Sequence, residues 1–133
     1  MYDNPWWHED KVFDTDSING YYGFVYLITN TTNGRKYIGR KYFWSFRKKK
    51  GQNRRSKQES DWKKYWGSNK PLLELLKSEP KENFTKEILR FASTKKLLTY
   101  YETQVLFVYR VLEEPEMYYN DNVLGKFFRK DFD

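Results

Sequence analysis

The stretch FVYLIT, Phe24 to Thr29, is apolar at odd and even positions alike. That pattern, rich in β-branched and aromatic residues, predicts a central strand covered on both faces. NTTNG follows, with Asn33-Gly34 a strong tight-turn signal, and RKYIGRK then predicts a second strand, closing an antiparallel hairpin. If the connection holds an even number of residues, Tyr26 and Tyr37 project from the same face. A four-residue loop, Thr31–Gly34, would make them diagonal neighbours roughly 7–8 Å apart at the backbone.

Further along, KPLLELLKSE predicts a helix closed by Pro80, and NFTKEILRFA a third strand. Ser93 or Thr94 can cap a helix running to about Leu112, in which Leu98, Tyr101, Val105, Val108 and Leu112 recur at 3-4-3-4 spacing as a buried stripe. Glu102 lies beside that stripe. Between strand and helix the chain is basic and interrupted by glycine, with a short helix expected near FWSFRKKK. Residues 1–20 read as an acidic, aromatic extension whose Trp6, Trp7 and Phe13 pack onto the domain or a partner, and Asn19-Gly20 as the turn before the first strand. The order predicts an α+β fold, a small three-stranded antiparallel sheet flanked by helices, over residues 21–133 with a basic loop at 40–64.

Composition sharpens this picture through charge. Residues 1–20 are net −4 and residues 71–133 net −1, whereas residues 35–70 carry fourteen lysines and arginines against Glu59 and Asp61, net +12. A segment so basic suits a polyanion, above all a nucleic acid; the alternatives are a solvated lysine-rich loop or a surface for an acidic protein. Twelve tyrosines among 133 residues imply a groove lined by rings with polar tips. No run approaches the roughly 20 apolar residues of a membrane span. The acidic start does not resemble a secretory leader. With no cysteine, disulfides and thiolate metal sites are excluded. A soluble, cytoplasmic protein is expected.

The single histidine, His8, leaves no Ser-His-Asp triad or histidine zinc site inside the domain, and no phosphate-cradling Gly-x-x-x-x-Gly-Lys loop is present. Two hairpin tyrosines, a basic cluster, one acid on a partly buried helix and Asn120 remain. Those parts suit phosphodiester cleavage, in which a hard cation takes one or two carboxylates plus waters and an arginine offsets charge on the phosphate. A phenol with a reference pKa of about 10 becomes a base only where cations depress it, and the basic surroundings of Tyr37 are expected to do so.

GFVYLITN…GRKYIGRK resembles the signature of the GIY-YIG endonuclease superfamily. Tyr26 occupies the tyrosine position of the first motif, Tyr37-Ile38-Gly39 reproduces the second, and the two tyrosines are eleven residues apart. The later segments YWGSNKPLLELLKSEPKENFTKEIL, YYETQVLF and YYN resemble, in order, elements of small phage-encoded homing-type members, so the resemblance covers about residues 22–122. Phe24 stands where the first motif has a glycine, and residues 48–60 are enlarged and more basic.

The resemblance implies a metal-dependent DNA endonuclease using Mg²⁺ or Mn²⁺, with Tyr37 as general base, Tyr26 positioning water or phosphate, Glu102 as the metal ligand and Asn120 bracing the site. It points to Arg47 as the catalytic arginine, with Arg40 the alternative, and to Tyr65 as a proton relay. Arg35, Lys36, Arg40, Lys41, Lys48, Lys49, Lys50, Arg54 and Arg55 are expected to grip DNA. The alternative function is a module of the same fold that binds nucleic acid without cutting it. Phosphate contacts carry little sequence information. Intrinsic specificity is therefore expected to be weak, or supplied by a second copy of the chain or a partner protein.

Overall fold

The computed structural model describes residues 1–48 and 50–132. Its elements in chain order are β1 (Trp7–His8), β2 (Lys11–Val12), β3 (Gly23–Asn30), β4 (Lys36–Tyr42), β5 (Trp44–Lys48), β6 (Arg55–Glu59), α1 (Lys70–Ser78), β7 (Phe84–Ala92), α2 (Lys95–Val108), β8 (Asn122–Val123) and β9 (Phe127–Phe128).

The doubly apolar pattern of β3 has the expected outcome: every residue from Gly23 to Ile28 is buried. β4 pairs antiparallel on one side, with Tyr26 opposite Gly39 and Ile28 opposite Tyr37, and β7 pairs antiparallel on the other. The Asn30 amide donates to the Arg35 carbonyl at 2.8 Å, so the connection is the four residues Thr31–Gly34. Gly34 has φ +76°, the backbone for which this turn selects glycine.

The expectation of a three-stranded antiparallel sheet needs correction. The sheet has five strands, ordered β2-β1-β7-β3-β4, and it is mixed because β1 runs parallel to β7. The two added strands come from the N-terminal segment. Each is two residues long, too short for any period-2 signal to be visible in the sequence. The same segment contributes the buried side chains Trp6, Phe13 and Ile18. Trp6 Nε1 donates to the Trp62 carbonyl at 2.6 Å, and the Phe13 amide donates to the Trp6 carbonyl at 2.8 Å. Phe24, the departure from the first motif, packs within 5.1 Å of the Trp6 ring and 4.9 Å of the Phe43 ring, so the larger side chain is absorbed by the core.

The basic segment also differs from its expectation. In place of the helix expected near FWSFRKKK, β5 and β6 pair as an antiparallel ribbon, with Phe46 opposite Lys57 and Lys48 opposite Arg55. Aromatics at every second position suit a pleat better than a helical face, and Lys57 Nζ lies 4.2 Å above the Trp44 ring. Lys49 lies outside the described residues.

The helices match their sequence signals with one change. Asn69 caps α1, its side chain accepting from the Leu72 amide at 3.0 Å, and Thr94 caps α2, accepting from the Leu97 amide at 3.1 Å. α2 stops at Val108 rather than near Leu112, because Arg110 takes a left-handed backbone at φ +56°. Val108 is consequently exposed, and the buried line runs through Leu98 and Leu106 with Glu102 midway between them. α2 and the C-terminal segment cover one face of the sheet; α1, the turn Trp62–Lys64 and the N-terminal segment cover the other. Among the described residues no helix is long and apolar enough to cross a membrane.

Lys86 on β7 is 2% exposed and lies 4.3 Å from the Trp6 ring and 4.6 Å from the Trp66 ring, with Nζ donating to the Lys63 carbonyl at 3.2 Å. Burial pulls its ammonium from 10.5 down to about 7, against the pull of the two indole faces. A lysine depressed in this way costs stability as pH falls from the unfolded value towards the folded one. The loss is at most about 1.4 kcal/mol per unit, and it levels off below both values. Lys86→Met should remove that slope. Urea unfolding at pH 7, 8.5 and 10 should show the stability of wild type relative to the variant rising with pH; parallel behaviour would refute it.

Candidate active site

β4 is an edge strand, and both faces of the sheet become accessible along it. A cleft of about 470 Å³ opens there, lined by Tyr26, Tyr37, Arg40, Tyr65, Glu102 and Asn120, with Ser68 and Asp121 at its margin. The hairpin register makes Tyr26 and Tyr37 diagonal neighbours on one face, their ring centroids 6.2 Å apart. Tyr65 meets Tyr26 edge-on at 6.0 Å, and Lys41 Nζ sits 4.1 Å above the Tyr65 ring.

Two glycines make room for the Tyr26 hydroxyl. A Cβ on Gly39, directly across the ladder, would collide with that hydroxyl and lie 2.7 Å from the Cζ carbon. A Cβ on Gly67, where φ is +88°, would stand 3.1 Å from the same hydroxyl and 3.0 Å from the Tyr37 ring. The glycine of Tyr37-Ile38-Gly39 therefore has a steric reason: the buried phenol of the preceding strand lies over it.

Glu102 reaches the cleft from α2. Its side chain is only 17% exposed, neither carboxylate oxygen accepts a hydrogen bond among the described residues, and its ion pair is Arg40 Nε at 3.8 Å. Burial pushes the carboxyl above its usual range, with the Arg40 charge acting against that rise. Arg40 is tied in turn to Thr99, whose hydroxyl accepts from Nη1.

Burial likewise pushes Tyr26 well above the ordinary phenol value, with the neighbouring Tyr37 and Tyr65 adding to it. Tyr37 is raised too, chiefly by burial; the Ser68 hydroxyl opposes the shift, and the Glu102 and Asp121 charges add to it. The basic cluster was expected to depress Tyr37. It does not: burial of the ring outweighs the surrounding charge, and Tyr65, Glu102 and Asp121 add to the rise.

Asn120 uses both ends of its amide on the free edge of β4, accepting from the Ile38 amide at 3.0 Å and donating to the Ile38 carbonyl at 2.8 Å. Tyr119 continues the clamp, its amide donating to the Lys36 carbonyl at 2.7 Å. With its polar atoms occupied, Asn120 holds the strand that carries Tyr37.

Arg47 is not brought to this cleft. It lies exposed on β5, where Nε donates to Ser45 Oγ at 3.2 Å, whereas Arg40 lines the cleft beside Glu102. Arg35 stacks 4.4 Å over the Tyr119 ring and donates to the Pro115 carbonyl at 3.1 Å. Lys48, Lys50, Arg54 and Arg55 are exposed and form no ion pair among the described residues. Ser68 and Asp121 were missed by sequence reasoning, although Asp121 adjoins Asn120 and Ser68 lies three residues beyond Tyr65.

Whether the cleft suits a divalent cation depends on its donor set. Among the described residues no three His, Cys, Asp or Glu side chains cluster. One partly buried carboxylate, held only by Arg40 at 3.8 Å and with open space beside it, fits a hard ion that keeps most of its waters.

Comparison with curated proteins and with solved structures returns no match. A family model described as "Putative endonuclease segE, GIY-YIG domain" matches residues 6–123, a span that takes in Trp6 at the start of the N-terminal segment, both tyrosine motifs, Glu102 and Asn120. The chain belongs to this GIY-YIG endonuclease-domain family.

Proposed function

We propose that the protein is a metal-dependent endonuclease that hydrolyses phosphodiester bonds in duplex DNA. The observation that carries this reading is the convergence on one cleft of two hairpin phenols, Tyr65, Arg40 and the partly buried Glu102, drawn from four separate parts of the chain. Tyr26, buried and fixed between Gly39 and Gly67, orients a water or a phosphate oxygen through its hydroxyl. Tyr37 is half-buried and opens to the cleft, so it takes the proton from the attacking water. Arg40 faces the phosphate and offsets its developing charge, the part for which Arg47 is badly placed. Tyr65, edge-on to Tyr26, is placed to pass a proton outward. Glu102 would hold Mg²⁺ or Mn²⁺, which when bound supplies positive charge for the leaving oxygen and eases ionisation of nearby groups.

A plasmid-nicking assay with Mg²⁺ or Mn²⁺ tests this. Wild type should convert supercoiled plasmid to open circle or linear form, and no conversion with either ion would leave only the reading of a DNA-binding module without catalysis. The raised Tyr37 phenol predicts a pH profile as well. A base whose pKa lies above the assay range is mostly protonated, so the rate should climb by about tenfold per unit between pH 6 and 8.5. Tyr37→Phe should lower the rate and flatten the climb; an unchanged slope in that variant would remove Tyr37 as the base.

A further inference from the structure

The cleft leaves the most basic stretch of the chain without a task. β5 and β6 pair as strands with each other and lie outside the five-stranded sheet, and at the base of the ribbon Glu59 accepts from the Thr15 hydroxyl at 2.9 Å and from Trp62 Nε1 at 2.8 Å. Their root is fixed: Phe43 is fully buried, the Ser60 amide donates to the Phe43 carbonyl at 2.8 Å, and Ser60 Oγ donates to the Tyr42 carbonyl at 2.6 Å. The root also adjoins the cleft, since Lys41 joins Asp61 below the ribbon and Tyr65 within the site.

From Phe46 to Gln58 there is no acidic residue, and Lys48 stands directly opposite Arg55. Like charges in cross-strand register weaken a ribbon on its own, and an anion brought from outside would relieve that repulsion. Alternation gives the ribbon two different faces. One carries the pairs Phe46–Lys57 and Lys48–Arg55; the other carries Ser45–Gln58 and Arg47–Ser56. The second face holds neutral hydrogen-bonding groups and a single guanidinium. Arg47 spends only Nε on Ser45 among the described residues, which leaves both Nη groups for a bidentate partner. Arginine on guanine and glutamine on adenine are the pairings that read base edges in the major groove, and that groove admits a two-stranded ribbon while the minor groove is about half as wide.

We infer that the β5–β6 ribbon enters the major groove of duplex DNA, with Arg47 and Gln58 against base edges and Lys48 and Arg55 on the flanking phosphates, and so selects where the chain cuts. This rests on the endonuclease reading and adds a source of specificity within the chain itself.

The test uses the full chain carrying Glu102→Gln, so that bound DNA stays intact, and a pool of 30-base-pair duplexes with a randomised centre. Sequencing the bound fraction should show a preferred subset. Arg47→Ala with Gln58→Ala should flatten that preference, and methylating guanine N7 with dimethyl sulfate should weaken binding of the parent at least about fivefold but not that of the Arg47→Ala protein. Lys48→Ala with Arg55→Ala should keep the preference, lower affinity for every duplex, and reduce the slope of log affinity against log salt by about 2. Gln58→Ala alone serves if the double variant fails to fold. The inference is overturned if the parent enriches no sequence, if Arg47→Ala with Gln58→Ala leaves the enrichment intact, or if a 30-nucleotide single strand binds as tightly as the duplex. These readouts concern binding alone, so a failure of the nuclease reading would appear in the nicking assay and not here.

Discussion

Glu102→Gln should abolish nicking while leaving the fold and DNA binding in place. Glutamine keeps the shape of the side chain and removes the one charge that could hold a divalent ion between α2 and β4. Losing an electrostatic contact of that kind costs roughly 100- to 1,000-fold in rate, and a lost metal ligand should lie at or beyond the upper end. Two controls separate catalysis from folding. The folded carboxyl is raised by burial, so at neutral pH its charge opposes the folded state, and the thermal midpoint of the variant should be no lower than that of wild type. DNA affinity should stay level or rise, because a negative charge leaves a surface that faces phosphates. A variant that nicks within about threefold of wild type would sink the metal assignment, since a tenfold change is already only about 1.4 kcal/mol of barrier. Extra Mn²⁺ should not restore the rate, as it would if the change had merely weakened binding at a neighbouring carboxylate such as Asp121.

How far the sequence reveals this site depends on the range of the interactions that build it. The hairpin is encoded locally: the apolar run of β3, the Asn33-Gly34 turn and the four-residue connection together fix the register that brings Tyr26 and Tyr37 to one face. Glu102 is legible in part, since Leu98 and Leu106 bracket it at helical spacing, although the exposure of Val108 shows the predicted stripe drifting at the C-terminal end. Arg47 illustrates the other limit. Counting residues beyond Tyr37 assumes the chain goes straight from β4 into a helix, but the ribbon intervenes and carries Arg47 away, leaving Arg40, three residues from Tyr37, beside Glu102. The rise in the Tyr37 phenol was equally out of reach. It depends on how far folding buries the ring and on which acids come to lie beside it, and Glu102 and Asp121 arrive from much later in the chain. The five-stranded sheet fails for a different reason: strands of two residues are specified by the surface they land on, not by their own pattern.

Trp6→Ala should be the most destabilising single change among the residues discussed. Its indole is fully buried between Phe24 and Tyr26, at 5.1 Å from each ring, and its Nε1 donates to the Trp62 carbonyl at 2.6 Å. Truncating a buried tryptophan costs about 3–5 kcal/mol from transfer and cavity terms, and the lost Nε1 hydrogen bond adds a smaller amount, since the Trp62 carbonyl keeps the Tyr65 amide at 3.3 Å. Against a total stability of about 5–15 kcal/mol, the fall in thermal midpoint should be roughly 10–15 °C. Trp6→Phe should recover part of it, restoring ring volume but not the hydrogen bond. The expected loss reaches activity as well, because Trp6 packs against the Tyr26 ring and removing it frees the phenol held by Gly39 and Gly67. Asp16→Ala, an exposed residue of the turn Thr15–Ser17, should stay within about 0.5 kcal/mol of wild type. A truncation lacking residues 1–19 offers the sharper contrast: if it melts with wild type and nicks at the same rate, the N-terminal segment is a detachable cover, and the packing of Trp6 on Tyr26 contributes nothing to the site.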